Sequence, residues 1–256
     1  MRWLLAQIPS ALGLLPLLLG LALWQFFSNG PAPNFPAPSL WWTAGVQLAT
    51  RGVLGPAVLS TLWTFLVGLS IASALGLVLG LLIGTLAVVR NWLGLLLEYL
   101  RALPPPVIVP VAALIVGYST TMKISVVVIT AIWPVLLNTI AGVAQVHELL
   151  LDVATSLRMP WRVRLTTIIL PATVPAFLIG VRIAVPLAVV IALLVEMLTG
   201  LPGIGRLMIA GQRNYNSSQV FALLAIVGVL GFLLNLAFAV LEGAVLRRWP
   251  PRFSPR

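Results

Sequence analysis

The sequence predicts an all-α membrane protein with about six transmembrane helices, and three observations lead to this prediction. The mean hydropathy of the 256 residues is +1.12. Only 8% of the residues are charged, whereas roughly a quarter are charged in soluble globular domains. Apolar runs of about 20 residues, the length that crosses a hydrocarbon core as a helix, recur along the chain between segments rich in glycine and proline.

The apolar runs define the elements in order. We expect them to be helices, because hydrocarbon does not tolerate unpaired backbone groups. The first run follows Arg2, but it exceeds the roughly 7–15 apolar residues of a signal peptide, so we interpret it as an uncleaved helix. The glycines of "GLVLGLLIG" at 76–84 indicate close helix packing in the second run. The predicted spans are Ile8–Phe27, Pro56–Val88, Leu93–Gly117, Ile124–Ala144, Ala172–Leu198 and Val220–Leu246.

The 15 basic residues are distributed unequally between the loops. With the N-terminus inside, ten of them lie in cytoplasmic segments, four lie on the opposite face and Arg182 lies within a span. The positive-inside rule therefore predicts that both termini and the loop 145–171 are cytoplasmic. Because the basic excess falls in short loops between apolar spans, nucleic acid is not a predicted partner. The four basic residues predicted outside are Arg51, Lys123, Arg206 and Arg213.

Several kinds of chemistry are not expected of this chain. It has no cysteine and a single histidine, His147, so disulfides and thiolate metal sites are excluded and no metal or other cofactor is predicted. No Gly-x-x-x-x-Gly-Lys-[Ser/Thr] motif occurs, and the glycine-rich segment 200–205 lacks the lysine that would reach a phosphate. We interpret that segment as a turn. We therefore expect no catalytic residues in this chain.

The cytoplasmic loop combines charge with an amphipathic pattern. Glu148 and Asp152 lie one turn apart on one face of a predicted helix. Pro160 cannot continue that helix but can open a second one, which we expect to run to Pro171. The pattern predicts two short amphipathic helices joined by a tight turn, although arginines that only fix topology remain an alternative. The apolar positions at helical spacing are Leu149, Leu150, Val153, Ala154 and Leu157.

The run 150–185 resembles the EAA loop and following helix of permease subunits of bacterial ABC importers. "DVA" at 152–154 occupies the Glu-Ala-Ala positions, and "IILP" at 168–171 matches the Ile-x-Leu-Pro end. Arg158 stands at the family's glycine position, and we expect Pro160 and a shifted turn to replace that glycine. "GLPGIGRLM" and "LEGAVLRRW" resemble the branch that imports nitrate, taurine, aliphatic sulphonates and some vitamin precursors.

The resemblance implies a type I importer in a bacterial cytoplasmic membrane. Its parts would be two copies of this permease, two cytoplasmic ABC ATPase subunits and an extracytoplasmic solute-binding protein, with membrane lipid around the permease. The solute would be a nitrate- or sulphonate-like anion or a vitamin or pyrimidine-type precursor. A self-sufficient secondary transporter or channel remains the alternative. The implied ATPase-coupling residues are Glu148, Leu149, Asp152, Val153, Ala154, Leu157, Arg158 and Pro160.

The resemblance also divides the chain. Residues 1–55 would hold the N-terminal transmembrane helix and an extracytoplasmic linker, and residues 56–249 the permease core. Residues 250–256 would form a cytoplasmic tail. The loop between the last two spans is long enough to include a short surface helix, with Ser217 or Ser218 capping the final span.

Four residues within the spans are candidates for the translocation path. Pro106 and Pro110 lie in "RALPPPVIVPV" and predict a helix broken beside the path, because each proline removes a helical hydrogen bond. Arg182 and Glu196 are charged residues within the fifth span, where charge is costly and often functional. For Arg182 the alternatives are snorkelling or an interhelical contact on one side and attraction of an anionic solute on the other. For Glu196 they are an interhelical hydrogen bond and a gate or binding-protein contact.

Overall fold

The computed structural model describes residues 13, 15–28 and 34–248, and its regular elements within these residues are all helical. This confirms the predicted fold class. The start of the first predicted span and the predicted tail 250–256 lie outside the described residues. The helices are α1 Leu15–Phe27, α2 Pro38–Thr50, α3 Leu54–Thr85, α4 Ala87–Arg101, α5 Pro105–Val116, α6 Thr120–Ala144, α7 Glu148–Ser156, α8 Trp161–Arg164, α9 Leu170–Thr199, α10 Ile204–Arg213 and α11 Ser217–Arg248.

Four helical stretches in the described part of the chain are long and apolar enough to cross a membrane. They are α3, α6, the run Trp161–Thr199 and α11. Three of them agree with predicted spans to within four residues at each end, whereas the run Trp161–Thr199 begins 11 residues before the predicted start at Ala172. A turn of π-helix, Leu165–Ile169, joins α8 to α9 within the third of these stretches. The described part of the first predicted span is the 13-residue helix α1.

The third predicted span is broken at the start of its proline cluster. Helix α4 ends at Arg101, α5 begins at Pro105, and the two helices are bent by 92°. Pro104 has extended backbone, with φ −66° and ψ 130°, and prolines fill the first turn of α5. Proline is well accommodated in a first turn, because its missing N–H has no helical partner there. The cluster therefore starts a new helix, and Pro110 lies inside that helix.

The described residues group into two compact units. Unit 1 draws on Met1–Trp63 and Leu193–Leu234, and unit 2 on Thr64–Ala192 and Asn235–Arg256. In unit 1, the rings of Trp41 and Phe221 stack with centroids 5.2 Å apart, and Trp24 meets both rings edge-on. This aromatic cluster joins α1 and α2 to the first turns of α11, and offset or edge-on ring pairs of this kind stabilise beyond their buried area.

Glycines on α3 allow close contact with α6 in unit 2. A Cβ on Gly76 would lie 2.8 Å from the Cβ of Val135, and one on Gly84 would lie 2.8 Å from the Cβ of Val143. These separations are shorter than real Cβ contacts, so glycine is required for this approach, as the sequence predicted. Because the contacting positions advance together along both helices, α3 and α6 run parallel.

The parallel arrangement has a topological consequence. The end of α3 and the beginning of α6 lie at opposite ends of the packed pair, so the intervening segment must return along its length. That segment contains α4 and α5. If α3 and α6 both cross the membrane, this return makes the bent pair one crossing.

Helices α6 and α9 pack in the opposite sense within unit 2. A Cβ on Gly142 would lie 2.6 Å from the Cβ of Ala176, whereas one on Gly180 would lie 2.8 Å from the Cα of Val135. The contacts run in opposite directions along the two helices, so α6 and α9 are antiparallel. The segment between them, which contains α7, is therefore presented at one end of this helix pair.

Candidate functional site

Helix α7 lies in the loop that resembles the EAA segment. His147 precedes it, and the Nδ1 of this residue accepts a hydrogen bond from the Leu149 amide at 3.3 Å. Glu148 occupies the first turn, where a carboxylate interacts favourably with the helix dipole. The helix therefore begins within a residue of where the sequence predicts it.

The C-terminus of α7 closes in a Schellman turn. The Met159 amide donates to the Ala154 carbonyl at 2.9 Å, and the Arg158 amide donates to the Thr155 carbonyl at 2.9 Å. Arg158 has φ +48° and occupies the left-handed position that commonly holds glycine. The expectation of a shifted turn at Pro160 is therefore wrong. The turn stays at position 158, because its two hydrogen bonds fix the path of the chain there. Arg158 adopts the left-handed conformation although it has a Cβ.

One face of α7 is apolar and exposed. Leu149, Val153 and Leu157 follow one another at four-residue intervals and are 62%, 48% and 68% exposed. Ala154, predicted to share this stripe, is only 1% exposed and faces the interior. The charged side chains of Glu148, Asp152 and Arg158 and the ring of Pro160 are also exposed. The helix thus presents an unpartnered apolar stripe flanked by charge.

The second helix of the loop is longer than predicted. Trp161 opens a continuous helical run that passes through Pro171 and ends at Thr199. Pro171 cannot donate a backbone hydrogen bond, and its ring crowds the carbonyl four residues earlier. That carbonyl belongs to Thr167, which lies inside the π-helical turn Leu165–Ile169. The wider turn accommodates the proline, so α8 is the first turn of a spanning helix.

Glu196 is fully buried and binds the loop that follows α9 in unit 1. Its carboxylate accepts hydrogen bonds from the Gly205 amide at 3.0 Å and from the Thr61 hydroxyl at 3.0 Å. The Thr61 oxygen in turn accepts from the Ile204 amide at 3.0 Å. Ile204 and Gly205 form the first turn of α10, where amides lack helical partners and a negative charge is favoured.

Two glycines make room for this carboxylate. Gly203 has φ +154°, and a Cβ at this position would coincide with the carboxylate of Glu196. A Cβ on Gly205 would lie 2.8 Å from the Cβ of Glu196. We call Glu196, Thr61, Gly203, Ile204 and Gly205 the Glu196 site. Residues 200–203 form the turn that is predicted for 200–205, whereas Ile204 and Gly205 already belong to α10. The site gives Glu196 a hydrogen-bonding role, while its part in translocation stays a prediction.

Arg182 makes an interhelical contact within unit 2. Its Nη1 donates to the Oε2 of Glu242 on α11 at 3.5 Å. The Arg182 side chain is 45% exposed and that of Glu242 is 8% exposed. The contact agrees with the interhelical alternative, while attraction of an anionic solute by Arg182 stays a prediction. Pro106 and Pro110, the other predicted path residues, are both exposed on α5.

Sequence reasoning missed three polar residues. Thr61 lies in an apolar run, and only its approach to Glu196 across 135 positions shows its role. Glu242 precedes four C-terminal arginines and lies in "LEGAVLRRW", where the family resemblance conceals its charge partner. Lys123 was expected at an outer loop, but it lies in the first turn of α6 and is 1% exposed. All three are polar side chains within or beside an apolar span, and this feature of the sequence could have marked them as candidates.

The chain belongs to the family described as binding-protein-dependent transport system inner membrane components, which it matches over residues 72–249. It is a multi-pass membrane protein and a permease subunit of an ABC importer, in which a separate subunit hydrolyses ATP. Transporters of this family combine the permease with an ATPase and a binding protein. The alternative of a self-sufficient transporter or channel is thereby excluded.

Individual relatives agree with this assignment. The chain is 31% identical to the nitrate import permease protein NrtB of Synechocystis over 235 residues, 88% of this chain and 86% of the relative. It is 33% identical to the bicarbonate transport system permease protein CmpB of Synechococcus elongatus over 250 residues, 91% of this chain and 90% of the relative. The fold matches a chain of the MetNI methionine ABC transporter with a TM-score of 0.67 and 17% identity, covering 78% of this chain and 96% of that one.

Proposed function

We propose that this permease imports a small planar oxyanion, with two copies of the chain enclosing the path. The similarity to both nitrate and bicarbonate permeases carries the substrate proposal. Both of those solutes are planar, carry a single negative charge and offer several oxygens as hydrogen-bond acceptors. Because the two solutes share these properties, we propose that the transporter recognises the negative charge of its substrate and the planar arrangement of its oxygens.

The proposed sidedness places both termini and α7 in the cytoplasm. The basic residues of the loops support it, since ten fall on that face and four on the other. The parallel packing of α3 and α6 agrees with it, because it requires one crossing between them. With this orientation, α10 and the Glu196 site lie outside.

Helix α7 couples the permease to its ATPase in this proposal. An exposed apolar stripe on a short helix suits a groove on another protein, and Leu149, Val153 and Leu157 form such a stripe. The buried Ala154 packs against the permease itself and positions the helix. The charges of Glu148, Asp152 and Arg158 surround the stripe and set the orientation of docking.

Uptake by the complete transporter tests the substrate. The permease, its ATPase and its binding protein are reconstituted in liposomes, and ATP-dependent uptake of labelled nitrate and bicarbonate is measured. Unlabelled methanesulfonate, a tetrahedral anion, and a neutral amide serve as competitors. We expect uptake of at least one planar oxyanion, with weak competition by the neutral compound. Uptake of neither anion, or competition by the neutral amide at least as strong as that by methanesulfonate, contradicts the proposal.

Substitution of Leu157 tests the docking surface. We expect Leu157→Asp to leave the permease folded in the membrane but to prevent co-purification with the ATPase, because an unpaired charge in a desolvated contact costs several kcal/mol, or about two or more decades in affinity. Thr155→Asp is the matched control, since Thr155 is exposed on the opposite side of the same helix. If both variants bind the ATPase equally, α7 does not dock through its apolar stripe.

A further inference from the structure

A pocket of about 480 Å³ lies against α10 in unit 1. Its wall combines the end of α9 with one side of α10, and it contains Arg206 and Arg213 together with Thr199 and Asn214. Arg206 and Arg213 are seven residues apart, which places them within about 20° of each other around the helix and about 10 Å apart along it. Two guanidinium groups therefore share one concave surface.

Neither arginine is neutralised within its own unit. Among the described residues, the side chains of Arg206 and Arg213 form no hydrogen bond or ion pair. The sequence ranges of unit 1 contain a single acidic residue, Glu196, and this carboxylate is fully buried. The positive charge of the pocket is thus available to a ligand, and a concave surface of one sign concentrates counter-ions.

We propose that this pocket is an oxyanion site, in which Arg206 and Arg213 bind the transported anion outside the membrane. The planar guanidinium fork donates paired hydrogen bonds to oxyanions, and Asn214 adds an amide donor at the pocket wall. The site would retain the anion after its release from the binding protein. Its substrate and its sidedness rest on the proposed function, whereas its charge and shape do not.

Because the chain has no cysteine, the reactivity of one introduced thiol reports the charge of the pocket. Asn214→Cys places a single thiol in the pocket of the complete transporter in right-side-out vesicles. The thiol is treated with two membrane-impermeant methanethiosulfonates, one carrying a sulfonate and the other a trimethylammonium group. Leu198→Cys, also at the pocket wall, is a second reporter, and Thr43→Cys on the exposed side of α2 is the reference thiol.

For each thiol we take the ratio of the anionic to the cationic reaction rate. We expect this ratio to be about tenfold higher for the pocket thiol than for Thr43→Cys. Replacing Arg206 and Arg213 by Gln should remove this preference, whereas Arg51→Gln, at an exposed arginine of the same unit, should leave it unchanged. Nitrate or bicarbonate should slow the anionic reaction more than chloride does at equal ionic strength. Equal rates for the two reagents, or equal protection by chloride, would overturn the oxyanion site.

These measurements separate the two proposals. If the pocket thiol is labelled only after permeabilisation, the proposed orientation is wrong, and the charge preference is read in the permeabilised vesicles. If oxyanions protect the thiol but the uptake assay finds transport of neither anion, the site stands and the proposed substrate does not. If uptake of the anion is retained while protection is absent, the substrate stands and the site is refuted.

Discussion

Arg158 carries a backbone conformation that is costly for any residue with a Cβ. The left-handed region disfavours L-residues by roughly 1–2 kcal/mol relative to glycine, and Arg158 has φ +48° at the end of α7. The two hydrogen bonds of the Schellman turn hold it there. Arg158 therefore holds this conformation at a cost in stability.

Arg158→Gly should raise the stability of the permease. We expect a gain of about 0.5–1 kcal/mol, because relief of the strained backbone exceeds the extra entropy that glycine brings to the unfolded chain. Thermal unfolding of the purified transporter measures the change. Arg158→Ala is the control, since it removes the charge and keeps the Cβ. An equal gain from both substitutions would attribute the effect to charge.

The Glu196 site shows how one atom position decides whether a residue is tolerated. Gly200 and Gly203 both have positive φ, at +69° and +154°. A Cβ on Gly200 would meet nothing within 4 Å, whereas one on Gly203 would coincide with the Glu196 carboxylate.

Gly203→Ala should therefore be far more damaging than Gly200→Ala. We expect Gly200→Ala to cost about 1–2 kcal/mol through backbone strain alone, and Gly203→Ala to abolish accumulation of folded protein, since it must displace a buried carboxylate from its donors. Expression and size-exclusion profiles in detergent compare the two. Similar profiles would mean that the loop moves freely around Glu196.

At the scale of helices, the contact between α9 and α11 is asymmetric. Glu242 is nearly buried and Arg182 is half exposed. An exposed ion pair contributes little stability on its own. When one partner is removed, however, the remaining charged group keeps its own surroundings, which are nearly buried for Glu242 and half exposed for Arg182. The two single substitutions should therefore differ.

Arg182→Gln should destabilise the permease more than Glu242→Gln does. The first substitution leaves a nearly buried carboxylate without its ion pair, and the second leaves a guanidinium that solvent or headgroups can reach. Thermal unfolding of both variants and of the double variant gives the coupling between the two residues. Greater loss in Glu242→Gln would show that Arg182 depends on the pair.

The π-helical turn is a second feature at this scale. It allows the helix that starts in the loop to continue through Pro171 into the spanning segment. One helical run therefore joins the loop at Trp161 to the end of the span at Thr199.

At the scale of the molecule, the parallel packing of α3 and α6 predicts one membrane crossing between them. Leu86 follows α3 and Tyr118 precedes α6, and both side chains are exposed. The segment between them must return along the length of the pair, although it is bent by 92°.

Single cysteines at these two positions should react from opposite sides of the membrane. We expect an impermeant maleimide to label Tyr118→Cys in intact right-side-out vesicles, and Leu86→Cys only after permeabilisation. Labelling of both from one side would make α4 and α5 a re-entrant segment, and the topology of the chain would change.

The sequence by itself determined the fold class, most of the spans, the unequal distribution of arginines and the amphipathic helix at 148–156. These properties depend on composition and local periodicity, which neighbouring residues carry. Close packing at the glycines of 76–84 was predictable for the same reason.

Only the tertiary structure decided what the isolated polar residues do. Thr61 meets Glu196 across 135 positions and Arg182 meets Glu242 across 60, and no local pattern encodes which distant donor a carboxylate will find. The left-handed Arg158 and the helix through Pro171 were likewise fixed by the surrounding structure, because a closed hydrogen-bonded turn and a π-helical turn overrode local preferences. Spans follow from local hydropathy, whereas polar partners within them follow from the packing of distant segments.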